Sequence, residues 1–222
     1  MNCYLVRESD GLTLIDTAIG AARIILEAAR HLGQPIRRIL LTHAHVDHVG
    51  SVDALCQRLP GLEIVASARD AQLLAEAARG VKRSQMTLLP GEPQTPVKGG
   101  FKKLKNLPGT LVNDKDSVGS LDVIATPGHT PGHIAFLDRR DGTLYAGDAL
   151  TTFKEVRLPF DPPWYFPLPA FATWDSGLSL SSGRRLSALD FHRILPGHGA
   201  AVEGAHPALD RAIARGARKL AS

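Results

Sequence analysis

The pattern of apolar and polar positions predicts strands and helices that follow one another along the chain. Short apolar runs between turn residues are typical of strands, and Ala-rich runs with apolar positions at helical spacing are typical of helices. Up to residue 79 this pattern predicts strands over 4–6, 12–16, 36–41 and 63–66, and helices over 21–32, 51–59 and 68–79. Such alternation is typical of an α/β architecture.

The second half combines regular elements with two irregular segments. Eight prolines and glycines interrupt residues 81–111, which we interpret as either a lid or a surface excursion. The segment 153–174 holds seven of the chain's twelve Phe, Trp and Tyr residues among prolines, and predicts neither a long helix nor a continuous strand. The remaining elements are predicted as a strand over 120–125, a hairpin of 134–137 and 143–146 that ends at Gly147–Asp148, a helix over 174–189, a strand over 191–195 and a helix over 207–220.

Composition and charge limit the classes of protein that fit. A chain of 222 residues with 44% hydrophobic and 22% charged residues fits one globular domain, 1–222, with a sizeable core. The net charge is +4, and no basic stripe interleaved with aromatics indicates a nucleic-acid partner. The chain has no run long enough to span a membrane, no secretory leader pattern and no Cys-x-x-Cys pair. We therefore expect a cytoplasmic protein without a membrane partner.

Three histidines and an aspartate fall within six residues, directly after the apolar run 39–41. Imidazole nitrogens and carboxylate oxygens suit zinc and its first-row neighbours. If the strand continues through His43, then His43 and His45 point to the same side, because side chains alternate along extended backbone. Asp47 and His48 are adjacent and would diverge. The motif predicts a metal site that can serve two neighbouring positions.

Three later loops each carry one further ligand-type residue directly after a glycine: His129, Asp148 and His198. A glycine at these places permits a sharp turn and a close approach of the backbone. Ligands that follow several strands converge at one edge of a sheet in layered α/β folds. Each of the three could be part of a plain turn if taken alone, but together with the first motif they predict one shared site.

The ordered motifs His-x-His-x-Asp-His, Gly-His-Thr, Gly-Asp and Gly-His give the chain a resemblance to the metallo-β-lactamase superfamily, from Asn2 to Val202. The resemblance implies an αββα sandwich of two mixed sheets with helices on the outer faces. It also implies two divalent metal ions, zinc being expected first and iron or manganese being alternatives. One ion would be held by His43, His45 and His129, and the other by Asp47, His48 and His198, with Asp148 bridging the pair.

The same resemblance implies a dinuclear hydrolase that cleaves an ester-like acyl bond (ester, thioester or lactone) of a small molecule with a metal-bridging hydroxide. Asp47 would orient this nucleophile. The Gly147–Asp148 pair is similar to that of the glyoxalase II and lactonase branches, and with no leader pattern in the sequence we expect a protein other than an exported β-lactamase. Three other functions remain open: a mononuclear iron oxidoreductase similar to persulfide dioxygenases, a metal-dependent phosphodiesterase, and a domain that binds without catalysis.

Further candidate residues lie near the predicted ligands in the chain. Asp16 ends a strand and could either hydrogen-bond a ligand histidine or cap a turn. His133 follows His129 by four residues and is expected to support the site without binding metal. The aromatic segment after Asp148 could line a pocket for the acyl group or form a homodimer contact; its candidate substrate-binding residues are Phe153, Trp164, Tyr165 and Phe166.

Overall fold

The structure is a computed structural model that describes residues 1–222, and two mixed β-sheets face each other at its centre. The strands of the first sheet lie side by side in chain order. Its first two strands are antiparallel and the later neighbours are parallel. These strands are β1 (Tyr4–Glu8), β2 (Gly11–Ile15), β3 (Ile36–Leu40), β4 (Glu63–Ser67) and β5 (Thr110–Val112).

The second sheet has the strand order β11-β10-β9-β8-β7-β6, and only its β9 and β10 run parallel to each other. The central strand, β9, is buried along its whole length. The strands of this sheet are β6 (Ser117–Val118), β7 (Leu121–Ala125), β8 (Ile134–Asp138), β9 (Thr143–Thr152), β10 (Arg193–Gly199) and β11 (Val202–Glu203).

Seven helices connect the strands or follow them. The first four lie in the connections between strands of the first sheet, and they are followed by a 3₁₀ turn at Arg83–Gln85. They are α1 (Ala22–Leu32), α2 (Val46–Val49), α3 (Val52–Arg58) and α4 (Ala68–Ala78). The others are α5 (Leu168–Ala172), α6 (Ser176–Ser187) and α7 (His206–Ala221). No helix has both the length and the apolar character that crossing a membrane requires.

Alternation along the strands divides the apolar side chains among three layers. Ile39 belongs to the cluster beneath α1, α3 and α4, whereas its neighbour Leu40 packs between the sheets with Phe136. In the second sheet, Tyr145 faces the layer between the sheets and Leu144 faces the cluster beneath α6 and α7. Each sheet therefore buries one face against the other sheet and one face against helices, which confirms the predicted αββα sandwich.

The predicted elements are found with shifted ends, and three shifts concern the predicted site. The hairpin does not end at Gly147–Asp148, because β9 continues to Thr152 and pairs with β10 over this extension. β10 likewise continues past residue 195, through Pro196 to Gly199, by means of register shifts around Pro196. β3 ends at Leu40, so His43 and His45 lie in a loop and not on a strand.

Candidate metal centre

Four chain segments bring the predicted ligands to one edge of the sandwich. β3 leads into the loop and helix that hold His43 to His48, the β7–β8 turn carries His129, and β9 and β10 contain Asp148 and His198. The seven side chains meet in three overlapping groups, in each of which the ligand atoms lie within 4.8 Å of one another. The groups are His43, His45 and His129; His43, His48 and Asp148; and Asp47, His48 and His198.

The first group consists of three buried imidazoles. His45 Nδ1 lies 3.1 Å from His43 Nε2 and 3.1 Å from His129 Nε2. The other nitrogen of each ring donates to a protein oxygen: His43 Nδ1 to Thr42 Oγ1 at 3.0 Å, His45 Nε2 to the Lys98 carbonyl at 3.0 Å, and His129 Nδ1 to Thr173 Oγ1 at 3.1 Å. A neutral imidazole has one N–H, so the facing nitrogens present lone pairs to one another.

The group of Asp47, His48 and His198, which we call the second group, lies beside the first and contains a carboxylate. Asp47 Oδ2 is 3.0 Å from His198 Nε2 and 3.7 Å from His48 Nε2. The expectation that Asp47 and His48 diverge is wrong, because both belong to the single turn α2, where neighbours differ in direction by about 100° and not 180°. The Asp47 side chain is 38% exposed, whereas that of His48 is fully buried.

Asp148 touches both groups. Its Oδ1 is 3.4 Å from His48 Nε2, and its Oδ2 is 3.5 Å from both His129 Nε2 and His198 Nε2. A Cβ atom on Gly197 would lie 2.2 Å from Asp148 Oδ1, so only glycine at that position leaves room for the carboxylate. The close approach of β10 to β9 therefore depends on Gly197.

Burial and mutual charge set the protonation states at this edge. Burial holds the pKa of His43 and His129 well below the usual range and lowers the pKa of His45 to about 4, so these rings are neutral at physiological pH. Burial opposes ionisation of Asp148, yet His48, His198 and His129 keep its pKa below the usual range. Burial likewise opposes ionisation of Asp47, but His198 and His48 lower its pKa to about 2.

The donor set fits divalent cations. Neutral imidazoles and ionised carboxylates are the forms that bind metal. His48 Nε2 and Asp148 Oδ1 are buried and have no hydrogen-bond partner, although an unpaired buried polar atom is costly. The facing nitrogen lone pairs of the first group also need a partner that can accept them. A cation within each group would satisfy all of these atoms at once, and the mixture of nitrogen and oxygen donors is compatible with zinc, iron or manganese.

Asp16 and His133 lie immediately behind these groups. His48 Nδ1 donates to Asp16 Oδ2 at 2.7 Å, and the same carboxylate accepts from the Thr42 amide at 2.9 Å. His133 Nε2 accepts from the Asp148 amide at 3.0 Å, which places the proton on Nδ1. Burial lowers the pKa of His133 to about 3, in keeping with a neutral ring. Both residues orient a predicted ligand, and neither ring nitrogen of His133 points into a ligand group.

Asp70, which the sequence reasoning missed, joins two of the ligand-bearing loops. Its buried carboxylate accepts from the Ala44 amide at 2.8 Å, from Thr130 Oγ1 at 2.7 Å and from the Gly132 amide at 2.7 Å. Burial raises the pKa of Asp70 to about 6, although the three donors act in the opposite direction. Ala44 separates His43 from His45, and Thr130 follows His129, so Asp70 fixes the spacing within the first group.

We expect the Asp70→Ala variant to lower both stability and metal affinity. The substitution leaves two buried amides and one hydroxyl without an acceptor, which should reduce the free energy of unfolding by about 3 kcal/mol. Loss of the link between the loops should weaken metal binding about tenfold to hundredfold. Chemical denaturation of the metal-free protein and titration against a competing chelator measure the two effects.

Asp53→Ala is the matched control for this variant, because Asp53 also holds a loop, accepting from the Lys105 amide at 3.0 Å and the Asn106 amide at 2.9 Å. It lies away from the ligand groups and should leave metal affinity unchanged. Equal metal affinities for the Asp70→Ala variant and the unmodified chain would limit Asp70 to a role in stability.

A cavity of about 440 Å³ opens onto the ligand groups. His45, Asp47, His129, Asp148 and His198 form one part of its wall. Of the four predicted substrate-binding residues, Phe166 lines the cavity, whereas Phe153 packs against Phe166 at 4.4 Å between ring centroids. Trp164 is 90% exposed and Tyr165 45% exposed, and neither lines the cavity. The other apolar lining residues are Val46, Leu168, Pro169, Phe171 and Ala172.

Comparisons with known proteins agree with this fold. The family model described as the metallo-β-lactamase superfamily matches residues 2–198. The uncharacterized protein YobT of Bacillus subtilis (strain 168) is 43% identical over 201 residues, covering 90% of this chain and 83% of YobT. Hydroxyacylglutathione hydrolase GloC of Haemophilus influenzae is 29% identical over 155 residues, covering 67% of this chain and 66% of GloC.

Among solved structures, TTHA1623 in a di-iron-bound form aligns with a TM-score of 0.66 and 28% identity, over 91% of this chain and 89% of that one. An αββα sandwich with histidines and aspartates gathered at one edge is the arrangement of a metal-dependent hydrolase, and that is the class of this protein. The chain belongs to the metallo-β-lactamase superfamily.

Proposed function

We propose that this protein is a dinuclear metal-dependent hydrolase of an ester-like acyl bond in a small molecule. The observation that carries the proposal is that Asp148 lies between two sets of ligands: its Oδ2 is 3.5 Å from His129 Nε2 of the first group, and its Oδ1 and Oδ2 are 3.4 and 3.5 Å from His48 Nε2 and His198 Nε2 of the second. The first ion would be held by His43, His45 and His129, and the second by Asp47, His48 and His198. Zinc is the expected metal, with iron and manganese as alternatives.

The presence of a complete second group favours this proposal over a mononuclear oxidoreductase. A single ion would leave Asp47, His48 and His198 without a ligand role, although their ligand atoms lie within 4.8 Å of one another. Phosphodiester hydrolysis would use the same paired ions, since these also clamp phosphoryl oxygens. The apolar part of the cavity favours an acyl substrate instead.

A pair of divalent cations held by these residues would acidify water to a nucleophile near neutral pH and would polarise a carbonyl oxygen. Asp47 is ionised, partly exposed and part of the cavity wall, so its carboxylate can accept a hydrogen bond from the attacking water and orient it. The water oxygen then bonds to the carbonyl carbon and the bond to the leaving atom breaks. Asp47 takes the proton from the water and returns it to the leaving atom.

The acyl group has an apolar wall to occupy. Phe166 lies 6.1 Å from His198 between ring centroids, and Leu168 and Phe171 add to the apolar lining of the cavity. Sites of this kind hold the apolar part of a ligand and use a few polar groups to orient it. Turnover should therefore rise with acyl-chain length across a series of aryl esters and thioesters.

The central test uses Asp47→Ala and His45→Ala with a panel of thioesters, lactones, aryl esters and phosphodiesters. Loss of the proton-transferring carboxylate should lower kcat by about 10²–10⁴-fold. His45→Ala removes one of the three donors of the first group and should lower the bound metal per chain as well as turnover. Elemental analysis and steady-state kinetics measure these effects.

His31→Ala is the control, since His31 is an exposed histidine on α1. It should match the unmodified chain in metal content and in turnover. Acyl hydrolysis that is unchanged in both the Asp47→Ala and the His45→Ala variants would refute the proposal, and oxygen uptake with a persulfide in place of hydrolysis would favour the iron oxidoreductase.

A further inference from the structure

A second cavity, of about 510 Å³, adjoins the metal cavity at Arg83 and Gly99, which line both. Besides Arg83, its wall contains Lys82 and Lys103, and it contains no aspartate or glutamate. We call these three cations the basic shelf. All three side chains are exposed, and none has a carboxylate oxygen within 4.0 Å, unlike nine of the chain's eighteen arginines. The shelf therefore has positive charge that no acidic side chain neutralises.

The shelf is fixed to the predicted metal site through residues 98–100. The Lys98 carbonyl accepts from His45 Nε2 at 3.0 Å, and the Gly100 carbonyl accepts from the Val46 amide at 2.8 Å. Between them, the Gly99 carbonyl accepts from Arg83 Nη1 at 3.2 Å. A Cβ atom on Gly99 would lie 2.0 Å from His45 Nε2. The Arg83 guanidinium is thus bonded to Gly99, and the residue before Gly99, Lys98, is bonded to the predicted ligand His45. The other N–H groups of the guanidinium are free to bind an anion.

The apolar wall and the basic shelf are formed by different segments beside the ligand cluster: Phe166, Leu168 and Phe171 line the metal cavity, whereas Lys82 and Lys103 line the second cavity. Phe166 neighbours His198, which belongs to the second group, whereas the residues that hold Arg83 contact His45, which belongs to the first. A substrate whose scissile bond lies across both groups would extend toward apolar side chains at one end and toward cations at the other. Such a substrate is an amphipathic ester or thioester.

We propose that the basic shelf binds the leaving group of the substrate, and that this group carries two or more negative charges, supplied by carboxylates or phosphates. This assignment rests on the proposed acyl hydrolysis, and it places the apolar acyl group against Phe166, Leu168 and Phe171. Arg83 makes paired hydrogen bonds to one anionic group, a geometry that guanidinium favours. Lys82 and Lys103 attract the remaining charge.

The test compares three thioesters with the same acyl group and different thiols: coenzyme A, which carries phosphates; glutathione, which carries carboxylates; and N-acetylcysteamine, which is neutral. We expect Arg83→Gln to lower kcat/KM about tenfold more for an anionic thioester than for the neutral thioester. The double variant Lys82→Gln/Lys103→Gln should lower kcat/KM for the anionic thioester about threefold to fivefold. The anionic thioester whose kcat/KM falls more identifies whether the shelf recognises phosphates or carboxylates.

Arg30→Gln is the matched control, because Arg30 is an exposed arginine on α1 and its substitution changes the net charge equally. It should leave all three values of kcat/KM unchanged. Added salt should weaken turnover of the anionic thioester more than that of the neutral one. Equal losses for the neutral and anionic thioesters in the Arg83→Gln variant, or equal effects of Arg30→Gln and Arg83→Gln, would overturn the proposal.

Binding of S-methyl-coenzyme A and S-methyl-glutathione, which have no scissile acyl bond, separates this proposal from the proposed function. Calorimetry should show tighter binding of at least one thioether by the unmodified chain than by the Arg83→Gln variant. That result would support the shelf even if no thioester were hydrolysed. Hydrolysis of the neutral thioester without binding of either thioether would support acyl hydrolysis and refute the shelf.

Discussion

The Asp148→Asn variant is expected to lose about half of its bound metal and about a thousandfold or more in kcat. The amide keeps the shape of the carboxylate but removes its charge, and Asp148 is the side chain that contacts histidines of both ligand groups. Two cations would then repel each other across a neutral group. Elemental analysis and single-turnover kinetics should show one tightly held ion and slow chemistry.

Asp161→Asn is the matched control for this variant. Asp161 is also a buried carboxylate, but it pairs with Arg215 at 2.7 Å and Lys219 at 3.1 Å, away from the ligand groups. Its substitution should lower stability while leaving metal content and kcat unchanged. Retention of two ions and full activity by the Asp148→Asn variant would contradict the bridging role that we propose for Asp148.

Strand and helix patterns were sufficient for the α/β architecture, because apolar periodicity indicates which face of each element is buried, whereas the αββα sandwich was expected from the family resemblance. Leu14 and Ile15, or Ile39 and Leu40, are adjacent apolar residues that pack on opposite faces of one sheet. Such continuous apolar runs are typical of strands covered on both sides. The strand ends were less predictable, because the extension of β9 to Thr152 depends on pairing with β10, which lies more than forty residues later in the chain.

Within the site, the predicted ligands were visible because their residue types and spacing are unusual, whereas the supporting residues were not. Ser67-x-x-Asp70 matches a helix-capping pattern, and the Asp70 amide does bond to Ser67 Oγ. The Asp70 carboxylate instead contacts loops that arrive from residues 44 and 130–132. These partners are distant in the chain, so no local pattern distinguishes this aspartate from an ordinary cap.

The cavity wall was the least predictable part, because composition does not fix the direction of a side chain in an irregular segment. The aromatic segment was expected near the site, but Trp164 points to solvent and Leu168 and Phe171 line the cavity. The 81–111 segment left a choice between a lid and a surface excursion. Its contribution to the site comes from Gly99 and Arg83, whose positions depend on the contact between the Lys98 carbonyl and His45.

Metal loading is expected to raise the Tm of the chelated protein by about 8–16 °C. A free metal concentration about a thousandfold above Kd stabilises the folded state by about 4 kcal/mol. For a chain of this size, each kcal/mol raises Tm by about 2–4 °C. This stabilisation is specific to the folded chain, because only folding gathers the atoms that a metal ion would bind. These atoms are the unpartnered His48 Nε2 and Asp148 Oδ1 and the facing nitrogen lone pairs of the first group. Differential scanning calorimetry with added zinc, iron or manganese measures the rise and ranks the metals.

Calcium provides the control for metal loading, because it prefers six or more oxygen ligands at flexible sites. The ligand set here contains five imidazoles and two carboxylates, so calcium should leave Tm nearly unchanged. A rise with calcium equal to that with zinc would indicate general charge neutralisation in place of coordination by the histidines. A Tm that no transition metal changes would contradict a metal centre at this edge of the sandwich, since atoms buried without partners would then be compensated in some other way.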